Sequence, residues 1–176
     1  MYTEQTIFTD VISFVNAGLL KLNYSNWNVV QSGQPKITAL KRPIIIIDMI
    51  SAPRYGWQHI KEKVVNSQIV HKELFYQDLN FQLSAFKHRS ATSEEETAID
   101  VCIGLSTFFN SEAGINLIKK KGYGISKITE IRTGFFVNEE ETYEQNPSFD
   151  FSLNILQEVS SFVEEISDIS GRVKGV

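Results

Sequence analysis

The architecture depends most on residues 73–158, which begin with the segment LFYQDLNFQLSAF at positions 74–86. From Leu79 to Ala85, its odd positions are apolar and its even positions are polar, and residues 148–155, SFDFSLNI, repeat this alternation. Successive side chains of a strand point to opposite faces of a sheet, so each segment offers one apolar and one polar face. The two segments therefore predict neighbouring strands that share one buried face.

Two helices are predicted between these strands. Apolar residues recur at helical spacing and can cover the apolar face: Ala98, Val101, Cys102, Leu105, Phe108 and Phe109. The helix is predicted to begin at Ser93, because Ser93 and Glu96 have the spacing of a capping box. Ser111 is predicted to cap the next helix, residues 112–121, which ends in three lysines and is stopped by Gly122.

The N-terminal part mixes one helix with weaker signals. Apolar spacing predicts a helix over residues 3–20, and Trp27 lies in a connection where its ring is predicted to fold back over the core. Pro43 opens a β-branched run at 44–50 that is typical of a strand buried on both sides. Residues 54–60 are aromatic, basic and turn-like. Residues 61–72 fit either a short edge strand or a loop.

The C-terminal part is predicted to return beside the first long strand. Residues 125–137 form a strand with a possible bulge at Gly134, residues 138–146 form an acidic hairpin connection, and the last strand runs from Pro147 to about Glu158. A short helix is expected over residues 160–170, followed by a frayed tail.

These elements predict an α+β fold in a single domain, residues 1–176, with a mixed, mainly antiparallel β-sheet and helices packed on one face. The domain comprises an N-terminal helix within residues 1–22, an α/β core at 40–158 and a frayed tail at 171–176. Hydrophobic residues make up 42% of the chain and charged ones 22%, as in ordinary soluble proteins.

Charge and cysteine content exclude several classes of protein. The net charge of −4 provides no general nucleic-acid-binding surface, which would need a basic face. The single cysteine, Cys102, excludes an internal disulfide and a cysteine-based zinc site. The N-terminus lacks the features of a signal peptide, and the apolar run at residues 44–47 is far too short to span a membrane. We therefore expect a soluble cytoplasmic protein without membrane contact.

No catalytic, metal or cofactor site is predicted. The three histidines, His59, His71 and His88, lack the spacing of metal ligands and are interpreted as surface residues. Cys102 lies on an apolar helix face, where a thiol acts as a small hydrophobe. An enzyme would need a deep pocket that joins His59 with Glu62, or His88 with Glu94.

The C-terminal half resembles the tail-terminator (neck-terminator) proteins of long-tailed bacteriophages and prophages. The resemblance rests on the strand pattern at residues 77–83, the helix at 98–109, the strand at 125–132 and, most closely, the segment YEQNPSFDFSL at 143–153. A looser match precedes it at residues 43–50. The likeness covers roughly residues 40–158.

The resemblance implies a structural virion protein of the tail or neck that is assembled in the host cytoplasm. Its copies would form a ring, usually a hexamer, that caps the tail tube, ends its polymerisation and offers a surface to the head-completion or connector protein. DNA would only pass through the pore, and no cofactor or enzymatic activity is implied. The acidic net charge would suit such a pore, because like charges disfavour adhesion.

Candidate interface residues follow from exposed aromatic and acidic positions. They are Tyr55, Trp57, Glu139, Glu140, Glu141 and Tyr143. Two alternatives remain open at this point: a head–tail joining or tail-tube-related component of a phage or injection machine, and, more remotely, a small enzyme with a scattered site.

Overall fold

Two long antiparallel strands form the centre of a mixed sheet in the computed structural model, which describes residues 2–24, 26–33, 43–65, 68–87, 96–137 and 143–162. Seven strands and three helices lie in these residues: α1 (Glu4–Lys21), β1 (Asn28–Gln31), β2 (Ile44–Ser51), β3 (Arg54–Val65), β4 (Gln68–Phe86), α2 (Ala98–Asn110), α3 (Glu112–Lys120), β5 (Gly124–Ile128), β6 (Arg132–Val137) and β7 (Tyr143–Phe162).

The sheet has the order β1-β2-β4-β7-β5, and only the β1–β2 pair is parallel. β3 pairs with the first half of β4, and β6 pairs with the first residues of β7. The central β4–β7 ladder keeps one register from Val70–Phe162 to Ser84–Ser148. The alternation predicted from the sequence therefore places the apolar positions of both strands on one face.

The helices cover this apolar face and complete the core. The Phe81 and Phe151 rings stack across the two central strands with centroids 5.4 Å apart, and Phe109 of α2 lies 5.1 Å from Phe151. α1 packs on α2 so closely that a Cβ atom at Gly18 would lie 2.8 Å from Leu105 Cδ2. The predicted α+β architecture, with a mainly antiparallel sheet and helices on one face, is confirmed. The core boundaries at residues 40–158 stay a prediction.

The start of α2 corrects the sequence-based expectation. Thr97 is the N-cap, and its hydroxyl and the Asp100 carboxylate form the capping box that was assigned to Ser93 and Glu96. Ser93 itself lies outside the described residues. Glu96 instead accepts a 2.8 Å hydrogen bond from Nε1 of Trp27, whose ring is buried in the core as predicted. The cap of α3 at Ser111 and its stop at Gly122, with φ of 85°, are confirmed.

Residues 54–65 form strand β3, so the turn predicted over residues 54–60 is wrong. Gly56 has a φ of 74°, and the register with β4 shifts between Tyr55 and His59. Glycine adopts this left-handed conformation without strain, which lets the strand accommodate the irregularity. The expectation of a buried strand on both sides holds only for the first half of β2, because Ile50 is exposed.

Three further expectations are corrected. The irregular connection around Trp27 contains β1, and the strand predicted over 125–137 is two strands, with the bulge between Ile125 and Lys127 rather than at Gly134. β7 begins at Tyr143 and continues through residues 160–162, which were predicted to be helical. Residues 163–170 and the expected frayed tail at 171–176 lie outside the part of the chain that the structure describes.

Candidate assembly surface

One end of the sheet is a three-stranded arm, which we define as residues 54–65, 68–77 and 155–162. Within the described residues, no helix packs across β3. Ten large apolar or aromatic side chains are exposed in the described part of the chain, and seven of them belong to the arm: Tyr55, Ile60, Val64, Ile69, Tyr76, Leu156 and Val159. Tyr55, Tyr76 and Leu156 lie on one face of the arm, and the other four lie on the opposite face. Exposed apolar patches of this kind mark interaction sites.

Three of these side chains form a continuous line across the arm. Tyr55 pairs with Tyr76, and Tyr76 pairs with Leu156, so the three lie side by side on one face of adjacent strands. They are 53%, 63% and 44% exposed, respectively. We call them the tyrosine row. They lie on the far face of the sheet, which is opposite the helices.

Basic side chains lie further along the arm, four residues from the tyrosine row in β4. Lys61 and Lys72 are register partners on the same far face, and Lys63 pairs with Val70 one step further along. Lys72 forms an ion pair with Glu158. The hydrogen bond from Lys72 is the main cause of the lowered pKa of the Glu158 carboxyl. An open groove of about 660 Å³ lies among these residues and the apolar side chains Leu74 and Leu156.

Over the body of the sheet, the far face carries pairs of polar side chains that join β4 to β7, and we call these pairs the polar ladder. Asn154 donates to Asp78, Ser152 donates to Asn80 at 2.6 Å, and Gln82 donates to Asp150 at 3.2 Å. Each pair joins β4 to β7, so the polar positions of the sequence alternation bind one another. The polar ladder is thus half-buried and internally hydrogen-bonded.

The structure separates the interface residues predicted from the sequence. Tyr55 belongs to the tyrosine row, and Trp57 lies nearby in β3. Tyr143 opens β7 opposite Val137, and the thirteen residues from there to Leu156 span roughly 40 Å at the usual strand rise. Glu139, Glu140 and Glu141 lie outside the described residues. Tyr55 and Tyr143 therefore lie far apart in the subunit.

Sequence reasoning missed Tyr76 and Leu156, although a signal was present. Both occupy even positions, which the alternation of β4 and β7 reserves for polar side chains over the body. A large apolar residue at such a position breaks the pattern. That break indicates either a second buried face or an interface.

The residues that the structure describes contain no arrangement of side chains that would form a catalytic or metal site. No group of three or more histidine, cysteine or acidic side chains among them is arranged to hold a metal ion. His59 is exposed and absent from the lining of the arm groove, although Glu62 contributes to it. The second pair, His88 and Glu94, lies outside the described residues. No single described helix is long and apolar enough to cross a membrane, and only the bent α2–α3 pair passes that test, by length and composition.

Cys102 is fully buried, as predicted, and its thiol contacts the carbonyl oxygen of Pro147 at 3.5 Å. Burial raises the pKa of this thiol to about 12. The thiolate is the reactive form, so we expect alkylation of native protein at pH 8 to be slower than that of denatured protein by at least about a hundredfold. Timed iodoacetamide labelling followed by mass spectrometry measures both rates. Equal rates would contradict the burial.

Evidence for the function comes from the comparison with known families, since the described side chains form no catalytic or metal site. Residues 6–164 match the family described as the E217 gateway protein gp29. The chain belongs to this family. Membership in the gateway family, whose namesake is a phage protein, confirms the predicted resemblance to phage tail terminators. It identifies the chain as a structural phage protein.

One solved structure is also similar to the chain. The sheath/tube terminator of an extracellular contractile injection system, PVC, in its extended state, aligns with a TM-score of 0.48 and 12% sequence identity. The alignment covers 100% of this chain and 65% of that protein, so the present chain spans less than two thirds of the terminator's length. No curated protein sequence matches the chain.

Proposed function

We propose that six copies of this gateway-family chain close into a ring that caps the tail tube, ends its polymerisation and offers the head-completion or connector protein an attachment surface. The ring assembles in the host cytoplasm and resides in the virion neck. DNA passes through its pore without specific contacts, and the ring carries out no covalent chemistry.

The arm is the observation that carries this proposal. Strands β4 and β7 run from the body of the subunit into the arm. The body buries its aromatic residues under helices, whereas apolar side chains of the arm remain exposed. Full burial of a large apolar side chain provides roughly 1.5–3 kcal/mol, and each of these side chains, about half exposed, forgoes roughly half of that. A subunit whose arm is buried only on assembly recovers that free energy in the ring.

The polar ladder is our candidate for the surface that faces the channel. Its amide and hydroxyl groups already form hydrogen bonds between neighbouring strands, so they need few further hydrogen-bond partners. Asp78 adds negative charge to this face, while the Asp150 carboxylate is paired with Arg132. A wall of satisfied polar groups and carboxylates gives DNA phosphates no adhesive site.

We expect the purified protein to bind one end of isolated tail tubes as a single ring and to stop their elongation. Light scattering across a concentration series, with and without tubes, measures assembly. Electron microscopy of the same mixtures locates the ring and counts its subunits.

Two outcomes would contradict the terminator proposal. Rings that stack and extend the tube would assign the chain to a tube-related component, and rings that bind only the head-side connector would assign it to head–tail joining. A protein that stays monomeric in both conditions and ignores the tubes would fit neither the ring nor the cap.

A further inference from the structure

A closed ring of more than two subunits requires two different patches on each subunit. Head-to-tail contacts are heterologous, so a surface on one copy meets a different surface on the next. The arm provides one apolar patch. Outside the arm, three more large apolar side chains are exposed among those whose burial the structure describes: Leu20, Ile50 and Ile103.

Leu20 and Ile103 are exposed on the solvent side of two helices that pack against each other. A Cβ atom at Gly104 of α2 would lie 2.8 Å from Leu22 Cδ1, so the C-terminal end of α1 meets the middle of α2 there. Leu20 lies two residues before Leu22, and Ile103 directly precedes Gly104. They are 74% and 50% exposed, respectively. We call Leu20 and Ile103 the helix patch.

We propose that the tyrosine row of one subunit docks on the helix patch of the next copy of this chain. The inference deepens the proposed ring and rests on it. Tyrosine is enriched in the centres of protein interfaces because its ring buries a large area while its hydroxyl tolerates water. The Tyr55–Tyr76–Leu156 line presents this kind of centre across three paired strands.

Charge favours a second copy as the occupant. The far face of the arm carries Lys61, Lys63 and Lys72 against the single carboxylate of Glu158, whereas the whole chain has a net charge of −4. The cationic far face of the arm is therefore attracted to an anionic body, which steers association and orients the contact.

The helix patch has its own carboxylate close to the expected contact. Asp100 lies one helical turn before Ile103 and is exposed. Two hydrogen bonds from Thr97, mainly the one from its backbone amide and to a lesser extent the one from its hydroxyl, lower the pKa of the Asp100 carboxyl. Asp100 is therefore ionised at neutral pH. Lys21 lies next to Leu20, so the local match depends on Asp100 and on the overall charge of the body.

Site-specific cross-linking tests the contact directly. A benzophenone amino acid at position 76 of the full chain, irradiated with tail tubes present, is expected to give a covalent dimer. The second peptide should come from residues 4–21 or 98–110. A dimer linked arm to arm, a cross-link only to the tube protein, or no cross-link within assembled rings would overturn the inference.

Matched substitutions give an independent measurement. Tyr76→Ser and Ile103→Ser should each weaken ring assembly by about tenfold or more, as expected for the centre of an interface. Ile50→Ser is the control, because Ile50 is 53% exposed in β2, outside both the arm and the helix patch. Equal losses from Ile50→Ser and Tyr76→Ser would contradict docking through the tyrosine row.

The two proposals fail in distinguishable ways. If the wild-type chain closes rings and caps tubes while position 76 links elsewhere, only the docking inference is wrong. If the wild-type chain neither forms rings nor binds tubes, the proposed function is wrong and the docking inference falls with it. Circular dichroism melting of each variant separates lost docking from lost folding.

Discussion

Replacing Leu105 with alanine is expected to lower the free energy of unfolding by about 2–5 kcal/mol, the range for buried leucines whose removal leaves a cavity. Leu105 is fully buried in the middle of α2, in the same core cluster as Phe81 and Phe151. The neighbouring helix cannot fill the space, because the residue opposite is Gly18, which has no side chain. Thermal melting should show a decrease of roughly 4–20 °C for a chain of this size.

The same geometry predicts a compensating substitution. Gly18→Ala alone should destabilise the protein, since its Cβ atom would lie 2.8 Å from both Leu105 Cδ2 and Phe108 Cδ1. Combined with Leu105→Ala, the new methyl group enters the vacated space, so the double variant should be more stable than the sum of the two single effects. Ile103→Ala, at an exposed position of the same helix, is the control. An additive double variant, or an unchanged melting temperature for Leu105→Ala, would contradict this packing.

Much of the fold could be predicted because one physical rule dominates it. The alternation in β4 and β7 assigns Leu79, Phe81 and Leu83 to the same face as Phe151 and Leu153, and the structure pairs these strands in that register. The helical stripe of α2 is equally decisive. Burial of a continuous apolar face leaves few other arrangements.

Local signals were less informative where two of them competed. Ser93 and Thr97 each stand three residues before an acidic residue, so the capping pattern alone cannot choose between them. Tertiary contacts decide the matter, since Glu96 is held by Trp27 and an ion pair with Lys87. Similarly, Gly56 reads as a turn residue in sequence, although it serves as an irregularity within β3.

The interface was predicted only in part because sequence analysis treated apolar residues as core. Tyr55 was selected since it lies in an aromatic, basic segment, whereas Tyr76 was counted within a strand that has one buried face. The register of three strands brings Tyr55, Tyr76 and Leu156 into one line. Such a line depends on which strands pair and in which register, and neither is contained in any single segment.

Replacing Glu139, Glu140 and Glu141 together with lysine is expected to impair ring closure or tube capping while leaving the fold intact. These residues lie outside the described part of the chain, so the expectation rests on charge: the net charge of −4 would change sign to +2. Surface charges contribute little to stability, so the melting temperature should hardly change. A positively charged chain would, however, repel the cationic far face of a neighbour's arm and attract DNA in the pore.

The dependence on salt separates this effect from a packing defect. Charge repulsion between exposed groups is screened over about 10 Å at 0.1 M salt and over about 3 Å at 1 M, so high salt should partly restore assembly. Glu4, Glu112 and Glu130 are exposed glutamates elsewhere, and their replacement by lysine gives the same net charge. If the acidic connection contacts a neighbour or the tube, its variant should lose assembly more severely than this control. If the two variants behave equally, the effect is due to net charge alone. If the variant of Glu139, Glu140 and Glu141 caps tubes like the wild type at every salt concentration, the acidic connection has no role in assembly beyond joining two strands.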